Sequence, residues 1–247
     1  MHDLTPPSSL AAPPRRRFCA LSAAVLSGIG GGGGAGAATP FTLHTFGDSI
    51  LDCGVYNEFN IHPGELLVRN DDAHFPELKG QDLQSLRPAR LDHRAVDGAT
   101  VDSLQAQVRG LRFGTAGAAL LTVGGNDLIR GLAADNGPGV RAFEAALDQF
   151  LRRLPIRPVL IGNVYDPTFG NDANNFLGVE AGLARANHRQ VNHVLAKLGA
   201  RYGQLVDLHA HFLRGNPSWY TRTIEPSLRG ASEVRRAFWP AVLASLR

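Results

Sequence analysis

Five short strand-like runs, mostly apolar and several bounded by Gly or Pro, limit what this chain can fold into. They lie at 41–46, 90–96, 118–123, 158–164 and 204–208, and the second is the weakest. Continuous apolar runs bounded by Gly and Pro suit strands covered on both faces. Helical patterns fall between them, near 100–109, 139–154, 180–201 and 230–246. In the third, Leu183, Val191, Val194, Leu195 and Leu198 recur at helical spacing and give one apolar stripe. Strands alternating with helices predict a parallel sheet with helices on both faces, an α/β fold. Ligands of such open sheets bind beyond the carboxyl ends of the strands. The residues just after each strand are therefore the ones to read for chemistry.

Composition removes several classes. Of 247 residues, 44% are hydrophobic and 19% charged, which argues against a disordered chain. No stretch reaches the roughly 18 consecutive apolar residues of a membrane span. There are 25 basic and 22 acidic residues, for a net charge of +3. Arg15, Arg16 and Arg17 supply most of that excess, and Lys79 and Lys197 are the only lysines. No dense basic stripe remains for a phosphate backbone, so nucleic acid is not an expected partner. Two cysteines, Cys19 and Cys53, cannot make a disulfide framework.

The N-terminus reads as a targeting segment. Arg15-Arg16-Arg17-Phe18 precedes an apolar stretch to Ile29, the run Gly30 to Gly34, and Ala35-Gly36-Ala37-Ala38. That is a basic region, a short apolar region and an Ala-x-Ala-like cleavage site. The paired arginines match a twin-arginine-type signal, which predicts export to the periplasm or outside the cell. The alternative is a disordered basic tail on a cytoplasmic protein. Residues 1–38 are thus set apart as signal peptide or tail, and 39–247 as one domain.

Three strand ends carry chemistry. After the first comes Gly47-Asp48-Ser49, where a serine hydroxyl on a tight turn before a helix start can act as a nucleophile. After the second, Asp97-Gly98-Ala99-Thr100 offers a glycine N–H. After the third, Gly124-Gly125-Asn126-Asp127 offers an amide side chain. Two backbone N–H groups and an asparagine amide at adjacent strand ends would make an oxyanion hole. Singly, each is an ordinary turn.

Together these blocks resemble the SGNH/GDSL hydrolase family, and Asn163-Val-Tyr-Asp-Pro167 looks like its fourth-strand loop. The resemblance covers about residues 41–246. It implies a three-layer α/β/α sandwich with a five-stranded parallel sheet, flavodoxin-like in order. It also implies a serine esterase mechanism with Ser49 as nucleophile, and Ser49 N–H, Gly98 N–H and Asn126 as oxyanion donors. A small-molecule ester or acylated carbohydrate is the implied substrate. No cofactor and no metal are expected, and a monomer is.

The last block departs from the family. Where relatives carry Asp-x-x-His before a proline, this chain has Arg222-Thr-Ile-Glu225-Pro226. In one account Glu225 is the base and Arg222 orients it, provided desolvation raises a carboxyl pKa near 4.3. In another, a histidine from elsewhere serves: His44, His62, His74, His93, His188, His193, His209 and His211 are available. His62 and His74 lie in the long segment 55–82, expected to arch over the site with Tyr56, Phe59 and Phe75. In the third account the chain is a ligand-binding protein on a hydrolase scaffold that has lost its activity. Asp207, His209 and His211 alternate, and would share one face if the fifth strand continued, giving a weak metal motif. Residues 171–175 make a polar loop expected on the far rim.

Overall fold

The computed structural model describes residues 39–111 and 117–246. The segment expected to be a targeting sequence, with Cys19, lies outside the described residues. Five strands form one parallel sheet: β1 (Phe41–Gly47), β2 (Ala89–His93), β3 (Gly117–Thr122), β4 (Val159–Gly162) and β5 (Gly203–Val206), in the order β2-β1-β3-β4-β5. This is the flavodoxin-like order, whose switch point lies between β1 and β3. Seven helices accompany the strands among the described residues: α1 (Pro63–Val68), α2 (Leu104–Gln107), α3 (Gly125–Ile129), α4 (Pro138–Arg153), α5 (Ala181–Tyr202), α6 (Leu208–Leu213) and α7 (Leu228–Ala244). A two-stranded antiparallel hairpin, β6 (Tyr220–Thr221) and β7 (Glu225–Pro226), precedes α7.

The period-2 alternation of the strands splits the core into two layers. Ala119, Leu121, Val159 and Ile161 pack with Leu147, Phe150, Val191 and Leu195 of α4 and α5. Ala118, Leu120 and Leu160 face the other way, onto Leu67, Phe212, Val234 and Phe238 of α1, α6 and α7. Each fully buried leucine contributes roughly 1.5–3 kcal/mol. With helices on both faces, the sheet is the middle of an α/β/α sandwich.

The structure corrects several expectations. The second strand stops at His93, yet Arg94 N–H and Val96 N–H still donate to the Thr45 and Gly47 carbonyls, so the following turn stays fixed to β1. The helix expected over 100–109 is a 3-10 turn, Val101–Ser103, followed by the short α2. Segment 55–82 is no lid. It contains α1, which packs its buried Leu66, Leu67 and Val68 beside β2 and α7, while Phe75 lies in a small apolar cluster with Leu66 and Leu78. The fully buried Arg235 of α7 secures it further, donating to the Gln81 carbonyl at 2.5 Å and to Asn70 Oδ1 at 3.3 Å. None of these helices is long and apolar enough to cross a membrane.

Candidate active site

At the carboxyl end of β1 the chain turns at Gly47, with φ +113°. A Cβ there would sit 1.7 Å from the Thr122 carbonyl oxygen, so only glycine fits. The Gln107 side chain grips this turn from both sides, accepting the Gly47 N–H and donating to the Gly47 carbonyl, each at 2.8 Å. Asp48 is almost wholly buried. Its carboxylate accepts the Thr122 hydroxyl at 2.8 Å and the Ile50 N–H at 3.2 Å. Burial pushes this carboxyl up to about 7, against those hydrogen bonds and with help from the nearby Glu225 and Asp127. Ser49 is 7% exposed and opens into a groove. The helix expected after it is one turn, in which Leu51 and Asp52 N–H groups donate to the Asp48 carbonyl. A helix dipole therefore contributes little at Ser49.

Gly98 occupies the third position of the turn 96–99, closed by Ala99 N–H to the Val96 carbonyl at 3.1 Å. Its φ of +75° is what a type II turn requires there. Among the described residues neither Gly98 N–H nor Ser49 N–H finds a protein acceptor. Asn126, in the first turn of α3, spends one amide hydrogen on the Ala99 carbonyl at 3.1 Å, and its amide has a second to give. Next to it, the Asp127 carboxylate accepts the Val101 N–H at 3.2 Å. The start of α3 thus holds the Gly98 turn, while Asn126 itself lines the groove beside Ser49.

Glu225 begins β7, behind a tight hairpin turn in which Arg222 and Thr223 adopt φ +44° and +76°. Its carboxyl pKa is raised, chiefly by burial. The Ser49 hydroxyl opposes that rise, being close enough to stabilise the carboxylate. The two side chains make no well-aligned hydrogen bond with each other. Among the described residues Glu225 Oε2 is buried and finds no hydrogen-bond partner. Tyr165 supports this position from below, donating its hydroxyl to the Ile224 carbonyl at 2.6 Å.

Arg222 does not orient Glu225 by contact. Among the described residues its guanidinium makes no ion pair, and it lies over the Tyr56 ring, 5.3 Å from the centroid. The reason is the turn: its two left-handed residues carry Arg222 outward. Its charge still lowers the Glu225 pKa, but less than burial raises it.

Several of the histidines are engaged elsewhere. His62 caps α1 and sits against Asp52, and His74 pairs with Asp71 at 2.8 Å. Neither lines the groove with Ser49. His44 is buried on Asp92, and His211 pairs with Glu233. His188 does line the groove, its Nε2 directed at the Val164 carbonyl at 2.9 Å. Asp207, His209 and His211 do not share one strand face, because the chain leaves β5 at Val206 and Asp207 caps α6.

The groove itself is a cavity of about 130 Å³. Its apolar wall includes Ile129, Val164, Phe176, Leu177, Ala184 and Ile224, with Asp172 and Asn175 on the rim. Sequence reasoning missed Phe176 and Leu177. An apolar pair directly after the polar run 171–175 was the available signal.

Comparison with known proteins follows the same lines. Residues 45–231 match the profile of the GDSL-like lipase/acylhydrolase family. A search of curated proteins gives no significant match. Among solved structures, an acetylxylan esterase from Geobacillus stearothermophilus superposes with a TM-score of 0.60 at 19% identity, over 83% of this chain and 95% of its own. A lipase from a goat rumen metagenome gives 0.60 at 17% identity, over 81% and 97%. An α/β hydrolase from the metagenome of Lake Arreo, Spain, gives 0.58 at 24% identity, over 85% and 97%.

Proposed function

Because this chain belongs to the GDSL-like lipase/acylhydrolase family, we propose that it is an ester hydrolase in which Ser49 is the nucleophile and Glu225 its general base. The single observation that carries this reading is the nearness of the Ser49 hydroxyl to a half-buried Glu225 carboxyl whose pKa burial raises. A carboxylate in water is a weak acceptor at neutral pH. Burial makes it more basic, and so moves it toward the range a general base needs.

In the proposed reaction Ser49 Oγ attacks the ester carbonyl carbon as its proton passes to Glu225. The oxyanion is met by Ser49 N–H, Gly98 N–H and the second amide hydrogen of Asn126. Collapse breaks the bond to the alkoxide, which leaves with the proton from Glu225. Water then attacks the acyl-enzyme as Glu225 takes its proton, and the collapse that releases the acid passes that proton on to Ser49 Oγ, restoring both groups. The apolar wall of Phe176, Leu177 and Ile129 supports an acyl group in the groove. A small-molecule ester or an acylated carbohydrate fits this reading.

A fluorophosphonate probe tests it. The folded protein is expected to be labelled at Ser49, and Ser49→Ala to remove the label. Folded protein that takes no label at Ser49 would make the groove a binding cleft instead.

A further inference from the structure

A second cluster lies outside the Ser49 groove. Asp52 follows the nucleophile turn, His62 caps α1, and His93 ends β2. Asp52 Oδ1 is 3.2 Å from His93 Nε2 and 3.5 Å from His62 Nδ1. The three donor atoms lie within 4.8 Å of one another, and the two imidazole centroids are 4.4 Å apart. Two imidazoles and a carboxylate, from three separate segments, are the donor set of a borderline divalent ion, zinc above all. Zinc bonds of about 2.0–2.1 Å place tetrahedral ligand atoms about 3.3–3.4 Å apart. The 3.2 and 3.5 Å separations here are two such edges.

We propose that Asp52, His62 and His93 form a zinc-type site, with water as fourth ligand, that fastens the segment before α1 to the oxyanion turn. The surroundings fit ligation. His93 Nδ1 lies 2.8 Å from Thr45 Oγ1. With its proton on Nδ1, His93 donates to Thr45 and presents a bare Nε2 to the ion. Asp52 uses its other oxygen to accept the Asp97 N–H at 2.8 Å. The ion is therefore one carboxylate away from the turn that carries Gly98. Two contacts compete: His93 Nε2 and Asp52 Oδ1 are within hydrogen-bond distance of each other at 3.2 Å, and Gly54 N–H donates to His62 Nδ1 at 3.2 Å. Binding would displace both, the ion taking the two imidazole lone pairs in their place.

The experiment uses the full folded chain, stripped with a chelator, dialysed and titrated with Co²⁺ and then Zn²⁺. One ion per chain is expected, with the d–d absorption of four-coordinate cobalt, its displacement by zinc, and a Tm that rises with ion concentration. His93→Ala and His62→Ala are each expected to abolish stoichiometric uptake. Thr45→Val is expected to weaken it about 10–100-fold, as loss of an outer hydrogen bond does. His209→Ala with His211→Ala is expected to leave it intact. If a histidine variant fails to fold, Asp52→Asn decides, since the amide oxygen can still accept the Asp97 N–H while ion affinity falls. No stoichiometric uptake by the folded chain would overturn the proposal. So would uptake that survives both Asp52→Asn and His93→Ala.

Discussion

The Arg222 guanidinium lies over the Tyr56 ring, 5.3 Å from its centroid, and the Tyr56 hydroxyl donates to Asp97 Oδ2 at 2.6 Å. Tyr56 so links the hairpin turn before Glu225 to the turn that carries Gly98. Arg222 acts on Glu225 through charge, stabilising the carboxylate. Arg222→Gln removes that charge, so the pH midpoint of ester hydrolysis is expected to move up while the plateau rate stays nearly unchanged. A pH–rate profile checks this, and a midpoint that moved down would contradict it.

Asn126 has one amide hydrogen on the Ala99 carbonyl, and in the proposed reaction the other meets the oxyanion. Asn126→Ala is expected to lower kcat by about 10²–10³-fold with little change in KM. A loss of thermal stability with kcat unchanged would identify it as a turn residue alone.

Tyr165 holds the backbone beside Glu225. Tyr165→Phe leaves the Ile224 carbonyl without its donor, which is expected to cost about 1–3 kcal/mol in urea unfolding. Because the freed carbonyl adjoins Glu225, kcat is expected to fall as well. Lost stability with kcat intact would confine Tyr165 to packing.

Asp48 gives a signed pH effect on stability. Its native pKa, about 7, lies above the model-compound value of 3.8. Between those values the native state binds the proton and the unfolded state releases it, so this group's contribution to stability falls as pH rises. Asp48→Asn has no such loss. Its unfolding free energy relative to the unmodified protein is expected to climb from about pH 4 to about pH 7 and then level off. A difference independent of pH would refute the raised pKa.

Much of the sheet was legible because its signals are local. Gly47, Gly98 and Gly124 mark strand ends by their own backbone needs, and Ser49 and Asn126 sit beside two of them. What was not legible depends on residues far apart in sequence that meet only after folding. Gln107 clamps Gly47 from 60 residues away, and Tyr165 reaches Ile224 across 59. The outward course of Arg222 follows from two left-handed residues in a three-residue turn, which neither Arg nor Thr advertises. Segment 55–82 read as a lid because α1 is short, yet Leu66, Leu67 and Val68 bury it beside α7. Asp52 and His93, 41 residues apart, meet for the same reason that β1 and β2 pair.

The pairing of Ser49 with Glu225 is the central claim, and the pH–rate profile of Glu225→Gln tests it most directly. With a short-chain aryl ester, the unmodified protein is expected to gain rate with rising pH through one ionisation, with its midpoint above the free-carboxyl value of about 4.3. Glu225→Gln is expected to remove most of the rate and the ionisation together. A Glu225→Gln variant that keeps its rate, with a midpoint near the histidine value of about 6.5, would contradict the account.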